Sequence, residues 1–242
     1  QQQWQNTLTA YALPELGNLF VRDIELAHIL NVLRPIWHEK TETASRLRGR
    51  IESVLDWARV HGYRQGDNPA RWKGNLDAIL PAPSKIKNVK NHAALPYEKI
   101  GDFMGKLRER DGTAAKALEF CILTAARSGE VRGAKWQEIS FEKAEWTIPA
   151  ERMKAGKEHC VPLSPHSIKL LESLPSGAAN EIIFKAPRGG MLSDMSLGAV
   201  LKRMEVPSTT HGFRSAFRDR GGESTAFPRE VIEHGLAHQI KD

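Results

Sequence analysis

A long apolar segment that ends at a charged side chain sets the first limit on the fold. Residues 114–126 are nearly all apolar, and Arg127 follows them directly. A segment that is apolar on every side predicts a helix buried in a core. An arginine at the end of such a helix is costly unless it meets an anion or a carboxylate. Glu130 lies three residues on, so a buried Arg–Glu pair and an anion site are both open at this point.

The amino-terminal third of the chain has the pattern of amphipathic helices. The clearest predicted helix spans residues 41–61 and is stopped by Gly62. Its apolar stripe consists of Leu47, Ile51, Val54, Leu55 and Ala58. A helix over residues 23–33 is expected to end at Pro35, and another to begin near Asn68 and Pro69. We therefore predict a helical bundle over residues 1–80 with a basic flank that includes Arg46, Arg48 and Arg50. Such a flank is a common way to hold a DNA backbone, and a solvated charged face is the alternative for each of these arginines.

The composition changes after residue 80. Residues 81–94 lack a helical period, contain two prolines, and carry Lys85, Lys87 and Lys90. Such a segment predicts a semi-extended, basic linker between two domains. A basic linker suits a protein that closes around a duplex, although many inert linkers have the same composition. The three lysines are therefore DNA-binding candidates.

The second domain is predicted over residues 95–242 and contains both helices and strands. Helices are expected at about 96–110, 113–125, 164–174, 193–204 and 228–236. Between them, residues 144–148 and 158–163 alternate with period two and predict a short β-hairpin. Pro162 indicates an edge strand, and Lys154 lies in the Gly-containing connection. The predicted fold is therefore mainly α, with a mostly helical second domain that includes a small antiparallel β-hairpin.

The segment THGFRSAFR, residues 210–218, reads as the start of a helix with Thr210 as its N-cap. Helical spacing puts His211, Arg214 and Arg218 on one face. The opposite face, formed by Phe213, Ala216 and Phe217, is expected to hold the helix on a core. An arginine fork beside a histidine is a suitable grip for a phosphate, and an ordinary basic, solvated helix face is the alternative.

Charge and cysteine content narrow the class of partner. The formal net charge of the 242-residue chain is +6 and its pI is about 9.4. The basic residues are spread among apolar segments, which favours nucleic acid over a membrane surface as the partner. Cys121 and Cys160 provide no disulfide framework, so we expect a reducing cytosol. The sequence shows neither a signal peptide nor a long apolar run, and a membrane partner is not expected.

Several motifs, in this order, resemble those of the tyrosine recombinases, or phage integrases, and most of all the P4-like integrases of prophages and genomic islands. In the first half they are TASRLRGRIE at 43–52, VLDWA at 54–58 and DNPA at 67–70. In the second half they are LTAARSGEVRG at 123–133, WTIPAERMK at 146–154, HCVPLS at 159–164, HGFRSAFR at 211–218 and LAH at 236–238. The resemblance covers essentially the whole chain.

The resemblance implies a site-specific recombinase that breaks a phosphodiester through a 3′-phosphotyrosine and needs no cofactor or metal. It implies that Arg127 and Arg214 clamp the scissile phosphate and that Lys154 protonates the leaving 5′-oxygen. His211 would accept the tyrosine proton, His238 would hydrogen-bond the phosphate, and Glu130 would support the site. The implied partners are double-stranded DNA at attachment sites, three further copies of the protein in a tetramer, a host DNA-bending protein and an excisionase.

The sequence departs from the family pattern in two ways. The family tyrosine follows the position of His238, but the tyrosines here are Tyr11, Tyr63 and Tyr97. We expect the chain to be part of a longer protein, lacking this tyrosine segment and the small amino-terminal arm-binding domain, and to be monomeric in this form. Arg220 occupies a position where these integrases usually have a large aromatic residue, so either the helix has ended or the charge meets a partner.

Two other functions remain open. A non-catalytic DNA-binding protein could use the same pocket to seat a phosphate, since the expected tyrosine is missing. His234 and His238 have the i, i+4 spacing of a metal site, but Glu233 precedes the pair and does not complete an HExxH pattern. A tyrosine after residue 242 of the natural protein would exclude the first function, and a zinc assay tests the second.

Overall fold

The computed structural model describes residues 2–86 and 93–238. The chain divides into two compact units, Gln1–Lys90 and Asn91–Asp242, here called the amino-terminal and carboxy-terminal units. Each has a core of its own. The fold is mainly helical with a small antiparallel sheet, and this confirms the predicted fold class.

The amino-terminal unit is a bundle of helices. Its α-helices are α1 (Gln2–Thr7), α2 (Leu13–Leu16), α3 (Leu26–Trp37), α4 (Thr41–Val60) and α5 (Pro83–Ile86). A π-helical turn, Leu8–Ala12, joins α1 to α2, and Leu76–Ala78 form a 3₁₀ turn. The core of this unit includes Trp37, Leu47 and Leu55, which are almost fully buried.

Helix α4 matches the predicted helix over residues 41–61 closely. Leu47, Ile51, Leu55 and Ala58 are buried as expected, whereas Val54 is 42% exposed. Gly62 has φ +76° and donates its N–H to the Arg59 carbonyl. This left-handed residue ends the helix, as predicted.

Three other predictions in this unit were wrong. Pro35 lies inside α3 rather than after it; the helix continues because Ile36 and Trp37 are buried. Residues 68–75 contain no α-helix, because the Asn68 side chain accepts from Ala70 N at 2.9 Å and donates to Glu52 O at 2.8 Å, which holds a turn. The linker prediction fails over Pro83–Ile86, where α5 forms and packs on α4.

The carboxy-terminal unit combines helices with a sheet. Its helices are α6 (Ile100–Arg108), α7 (Thr113–Thr124), α8 (Ser128–Arg132), α9 (Pro165–Glu172), α10 (Ser196–Arg203), α11 (Gly212–Ser224) and α12 (Arg229–Gly235). The strands are β1 (Ile139–Ser140), β2 (Glu145–Ile148) and β3 (His159–Pro162). Shorter 3₁₀ turns are Tyr97–Lys99, Trp136–Glu138 and Ala150–Arg152.

The described part of the sheet is antiparallel in the order β1-β2-β3. In the hairpin, Trp146 pairs with Val161 and Ile148 with His159. Trp146, Ile148 and Val161 are buried, so one face of the sheet packs on the core around α7. The predicted hairpin and the edge position of Pro162 are confirmed, whereas the short strand β1 was not predicted.

Candidate active site

Arg127 is held by the turn that follows the buried helix α7. This helix ends at Ala125, whose φ is +50°, and Arg127 lies immediately before α8. The Glu130 carboxylate accepts from Arg127 N and from Arg127 Nη1, both at 2.8 Å. Glu130 is 5% exposed, so the arginine side chain is fixed from behind by a buried carboxylate. The Arg127–Glu130 contact suggested by their spacing is therefore present.

Arg214 lies on α11 and reaches the same region. It is 4% exposed and donates through Nη1 to the Ala125 carbonyl. Its Nη2 donates to Leu236 O at 2.5 Å and lies 3.3 Å from His238 Nε2. Within the part of the chain that the structure describes, the buried Arg214 Nε has no hydrogen-bond partner.

The two arginines make an electropositive site. Burial lowers the pKa of Arg214, and the nearby Arg127 charge lowers it further. Arg127 Nη2 also lies 3.5 Å from the Ala237 carbonyl oxygen. Both guanidinium groups thus contact the segment after α12. Two cations held close together favour an anion between them or beside them.

His238 is oriented by Glu233, a residue that sequence reasoning noted only for the metal alternative. His238 Nδ1 bonds to the Glu233 carboxylate. Arginine can only donate, so the contact from Arg214 requires His238 Nε2 to accept and Nδ1 to carry the hydrogen. The hydrogen bond from His238 lowers the pKa of Glu233. Their separation of five residues is not a helical spacing, so the sequence pattern does not reveal this pair.

Lys154 lies in the connection between β2 and β3 and is exposed. Together with Arg127, Ala155, Ala237 and His238, it lines a pocket of about 320 Å³. The hairpin lysine, the first arginine and the last histidine therefore border one open space. A phosphate group is small enough to enter such a space.

His211 immediately precedes α11, and its carbonyl accepts from Arg214 N at 3.0 Å. The predicted N-cap was wrong, since His211 and not Thr210 is the N-cap of α11, and the Thr209 hydroxyl accepts from Gly212 N at 3.0 Å. Gly212 is required here because a Cβ at this position would lie 2.1 Å from the Ala93 carbonyl oxygen. The backbone of residue 93 thereby sets the position of the start of α11.

The predicted opposite face of α11 is only partly buried. Phe213 and Ala216 are in the core, but Phe217 is 42% exposed. Helix α11 continues through Arg220, which is exposed, so the helix has not ended at that position. Arg218 is also exposed and borders a second pocket with Glu233.

Cys121 is buried close enough to Arg214 for the arginine charge to act on its thiol. Its thiol donates to the Ala126 carbonyl at 3.2 Å. Burial raises the pKa of the thiol to about 12, so it stays protonated. Cys160, in contrast, is exposed on β3.

The DNA-binding candidates of the amino-terminal unit differ in availability. Arg46 is exposed and pairs with Glu42. Arg48 is largely buried and bonds to Glu52 and the Ala70 carbonyl. Arg50 is 7% exposed and donates to Gln3 O and to the Thr7 hydroxyl, so its assignment to a DNA-facing surface was wrong. Lys85 lies on α5 and is exposed, whereas Lys87 and Lys90 lie outside the described residues.

The two histidines of the metal alternative have different neighbours. His234 packs edge-on against His159, with ring centroids 6.1 Å apart, while His238 contacts Glu233 and Arg214. Across residues 2–86 and 93–238, no group of three or more His, Cys, Asp or Glu side chains is arranged to hold a metal ion. In the same residues, no helix combines the length and apolar character needed to cross a membrane.

Comparison with solved structures identifies the class of fold. A λ integrase (75–356) dimer bound to a COC′ core site superposes with a TM-score of 0.71 at 17% identity, covering 98% of this chain and 86% of that chain. The Tn1549 transposon integrase (82–397) in complex with circular intermediate DNA gives 0.71 at 11% identity, covering 98% and 84%. The chain thus has the fold of DNA integrases.

Sequence profiles identify the family. The profile of the phage integrase central domain matches residues 1–75, and that of the phage integrase family matches residues 95–239. This chain belongs to the phage integrase family, as the resemblance of its motifs predicted.

Two curated relatives indicate the extent of the likeness. The integrase of Enterobacteria phage P4 is 27% identical over 257 residues, covering 97% of this chain and 57% of the relative. Prophage integrase IntZ of Escherichia coli (strain K12) is 32% identical over 246 residues, covering 99% and 59%. The chain therefore spans somewhat more than half of the length of these relatives.

Proposed function

We propose that this chain is the core of a site-specific DNA recombinase that cuts and rejoins double-stranded DNA at attachment sites. By this proposal it integrates or excises a prophage or genomic island. The observation that carries the proposal is the convergence of Arg127 and Arg214 beside His238. Arg214 Nε is buried and without a hydrogen-bond partner among the described residues, and an anionic phosphate oxygen would satisfy it.

In the proposed reaction a tyrosine oxygen attacks the scissile phosphorus as the bond from phosphorus to the 5′-oxygen breaks. His211 takes the tyrosine proton, and Lys154 gives a proton to the leaving 5′-oxygen. Arg127 and Arg214 stabilise the charge that develops on the non-bridging oxygens, and each such donor contributes about 3–4 kcal/mol. His238 hydrogen-bonds the phosphate, with Glu233 holding the ring.

The attacking tyrosine is part of the proposal. Tyr11 and Tyr63 belong to the amino-terminal unit, and the Tyr97 hydroxyl accepts a hydrogen bond from Ser224 at 3.2 Å. We propose that the natural protein supplies the nucleophile from a tyrosine beyond His238, as the family pattern implies. Attack by a tyrosine hydroxyl keeps the energy of the broken phosphodiester bond in a phosphotyrosine bond. Rejoining the DNA strands therefore needs no nucleotide cofactor.

The first test is a nicked suicide substrate that traps a covalent protein–DNA adduct. The chain of 242 residues is compared with the natural protein made from its own start codon to its own stop codon. We expect an adduct on a denaturing gel with the natural protein and its loss in Arg214→Ala. Adduct formation by neither wild-type protein would contradict strand cleavage and leave DNA binding without catalysis as the function.

The proposed partners follow from the same function. The recombinase would act as a tetramer on two duplexes. A host DNA-bending protein and an excisionase would determine whether integration or excision takes place. This chain by itself would be monomeric. Arg46, Lys85 and Arg218 are exposed in the structure and are proposed to contact the DNA backbone together with Lys87 and Lys90. Arg48 would contribute only by releasing Glu52.

A further inference from the structure

The β2–β3 connection carries a largely buried arginine two residues before Lys154. Arg152 ends the 3₁₀ turn Ala150–Arg152, and its side chain is 19% exposed. It points away from solvent although Lys154, on the same connection, is exposed. An arginine that is buried in this way must have its donors satisfied by fixed partners.

The partners of Arg152 come from two other segments of the carboxy-terminal unit. Nη1 donates to the Glu138 carboxylate and Nη2 donates to the Glu130 carbonyl. The other Glu138 oxygen accepts from Trp146 Nε1 at 3.0 Å, and the Glu138 side chain is 4% exposed. The Arg152 guanidinium group therefore joins the β2–β3 connection to helix α8, which begins directly after Arg127.

Close packing fixes the guanidinium group as well. A Cβ at Gly133 would lie 3.2 Å from Arg152 Nη2, so the glycine leaves room for the fork. Met153, between Arg152 and Lys154, is 7% exposed and belongs to the core. The backbone that precedes Lys154 is thus held on both sides, while the lysine side chain remains open to the pocket.

From this geometry we propose that Arg152 is a positioning residue that places Lys154 beside the phosphate held by Arg127. The Nη2 bond ties the segment that carries Lys154 to Glu130, whose carboxylate fixes Arg127, and the Nη1 bond ties the same segment to Glu138. The proposal rests on the proposed recombinase function. Without the Arg152 guanidinium group, the β2–β3 connection is no longer attached to Glu130. We therefore expect slower proton transfer from Lys154, while phosphate binding by Arg127 is little changed. A misplacement of the catalytic group by about 1 Å reduces the reaction rate on the order of 100-fold.

A substrate that needs no general acid separates this role from a purely structural one. Two otherwise identical nicked DNAs are used, one with oxygen and one with sulfur at the bridging 5′ position of the scissile phosphate. A thiolate leaves without protonation because thiols are far more acidic than alcohols. Cleavage by the natural protein is compared for wild type, Arg152→Lys, Arg152→Ala and Lys154→Ala. Lysine keeps the charge of Arg152 but cannot make the two-pronged contact.

We expect Arg152→Lys and Arg152→Ala to cut the oxygen substrate on the order of 100-fold more slowly than wild type and the sulfur substrate at nearly the wild-type rate. Lys154→Ala should show the same rescue. Arg214→Ala should be slow on both substrates, since the phosphate clamp is needed in either case.

The matched control is Arg108→Ala, which breaks another ion pair with a buried carboxylate in the same unit. Arg108 Nε lies 2.6 Å from Glu119 Oε1, and neither residue borders the pocket of Arg127 and Lys154. This variant should leave the ratio of the two rates unchanged. If Arg152→Ala is unfolded, Arg152→Lys and Gly133→Ala, which crowds the fork, give the same comparison.

Equal slowing of the Arg152 variants on both substrates, with Lys154→Ala still rescued by sulfur, would overturn the positioning role and leave the recombinase function intact. Wild-type protein that cleaves neither substrate would instead overturn the proposed function and this inference with it. The two failures are therefore distinguishable in one experiment.

Discussion

Individual residues at the site are placed by contacts with backbone carbonyl groups. Arg214 bonds to the carbonyls of Ala125 and Leu236, and Arg127 lies within reach of that of Ala237. Ala125 and Ala237 both have positive φ values, +50° and +49°, which are uncommon for residues other than glycine. The two arginines thus sit against two left-handed turns, and the carbonyl groups around those turns fix their side chains.

Gly212 offers the sharpest test at this scale. In Gly212→Ala the new methyl group would overlap the Ala93 carbonyl oxygen. The methyl group is fixed directly to the helix backbone and the carbonyl is part of the backbone, so neither group can move without a shift of its chain segment. We expect a loss of about 3 kcal/mol in the free energy of unfolding, measured by urea denaturation.

Gly222→Ala is the matched control for this substitution. Gly222 lies on the same helix, and apart from its chain neighbours and the nearby backbone of its own helix, no atom of the described residues lies within 4 Å of the position that an added methyl group would take. Alanine there should stabilise the protein by about 0.5–1 kcal/mol. Similar effects of the two substitutions would contradict the role assigned to the backbone of residue 93.

At the scale of secondary-structure elements, buried arginines tie one element to another. Arg50 connects α4 to α1, Arg64 donates to the carbonyls of Val21 and Ile24, and Arg152 connects the hairpin to α8. Some of the positive charge of this chain therefore serves packing. The number of basic residues on a helix is consequently a poor measure of its DNA-facing surface.

Arg50→Ala and Arg46→Ala should distinguish an arginine of α4 that serves packing from one that faces solvent or DNA. Loss of Arg50 removes the hydrogen bonds that its guanidinium group donates to the Gln3 carbonyl and the Thr7 hydroxyl, so we expect a cost of about 1–3 kcal/mol in the free energy of unfolding. Arg46 is exposed in a surface ion pair, and its loss should cost less than about 0.5 kcal/mol.

DNA binding should show the opposite order for the two variants. If Arg46 contacts a phosphate, Arg46→Ala lowers the affinity and reduces the slope of log K against log salt by about one. Arg50→Ala should leave that slope unchanged at a temperature where it is folded. An unchanged slope for Arg46→Ala would remove Arg46 from the proposed DNA contacts.

At the scale of the whole molecule, two groups of the carboxy-terminal unit make folding sensitive to acid. The hydrogen bond from His238 holds the pKa of Glu233 below its ordinary value of 4.5. Burial, and then the charge of His234, lower the pKa of His159 from 6.5, against the opposing effect of Glu130. In both cases the unfolded chain takes up a proton more readily than the folded chain, so stability falls as the pH falls.

We therefore expect the melting temperature to decrease below about pH 6.5, the ordinary value for histidine, as the pH falls toward the lowered pKa of His159. A second decrease should follow as the pH passes below the ordinary value of Glu233 toward its lowered one. His159→Gln should reduce the first decrease and Glu233→Gln the second, in thermal unfolding measured across this range. A variant with the wild-type pH profile would exclude that residue as a source of the acid sensitivity.

Local sequence patterns were sufficient to predict much of the fold. The stripe of α4, the buried helix α7 and the β-hairpin depend on neighbours three to four residues apart in a helix, or two apart in a strand, so their periodicity is visible in the sequence. The motifs around Arg127, Lys154, His211, Arg214 and His238 were sufficient to predict the family. Glu130 was recognisable because a spacing of three residues puts it one helical turn from Arg127.

Only the tertiary structure decided which charged groups are buried and which residues meet. The contact between Arg127 and Ala237 joins residues 110 positions apart, and the Arg152–Glu138 pair joins different elements, so no periodicity reveals them. Arg46 and Arg50 look alike in sequence, but α1 covers only Arg50. Periodicity records which face of an element is apolar, whereas the packing of distant segments determines what lies against that face.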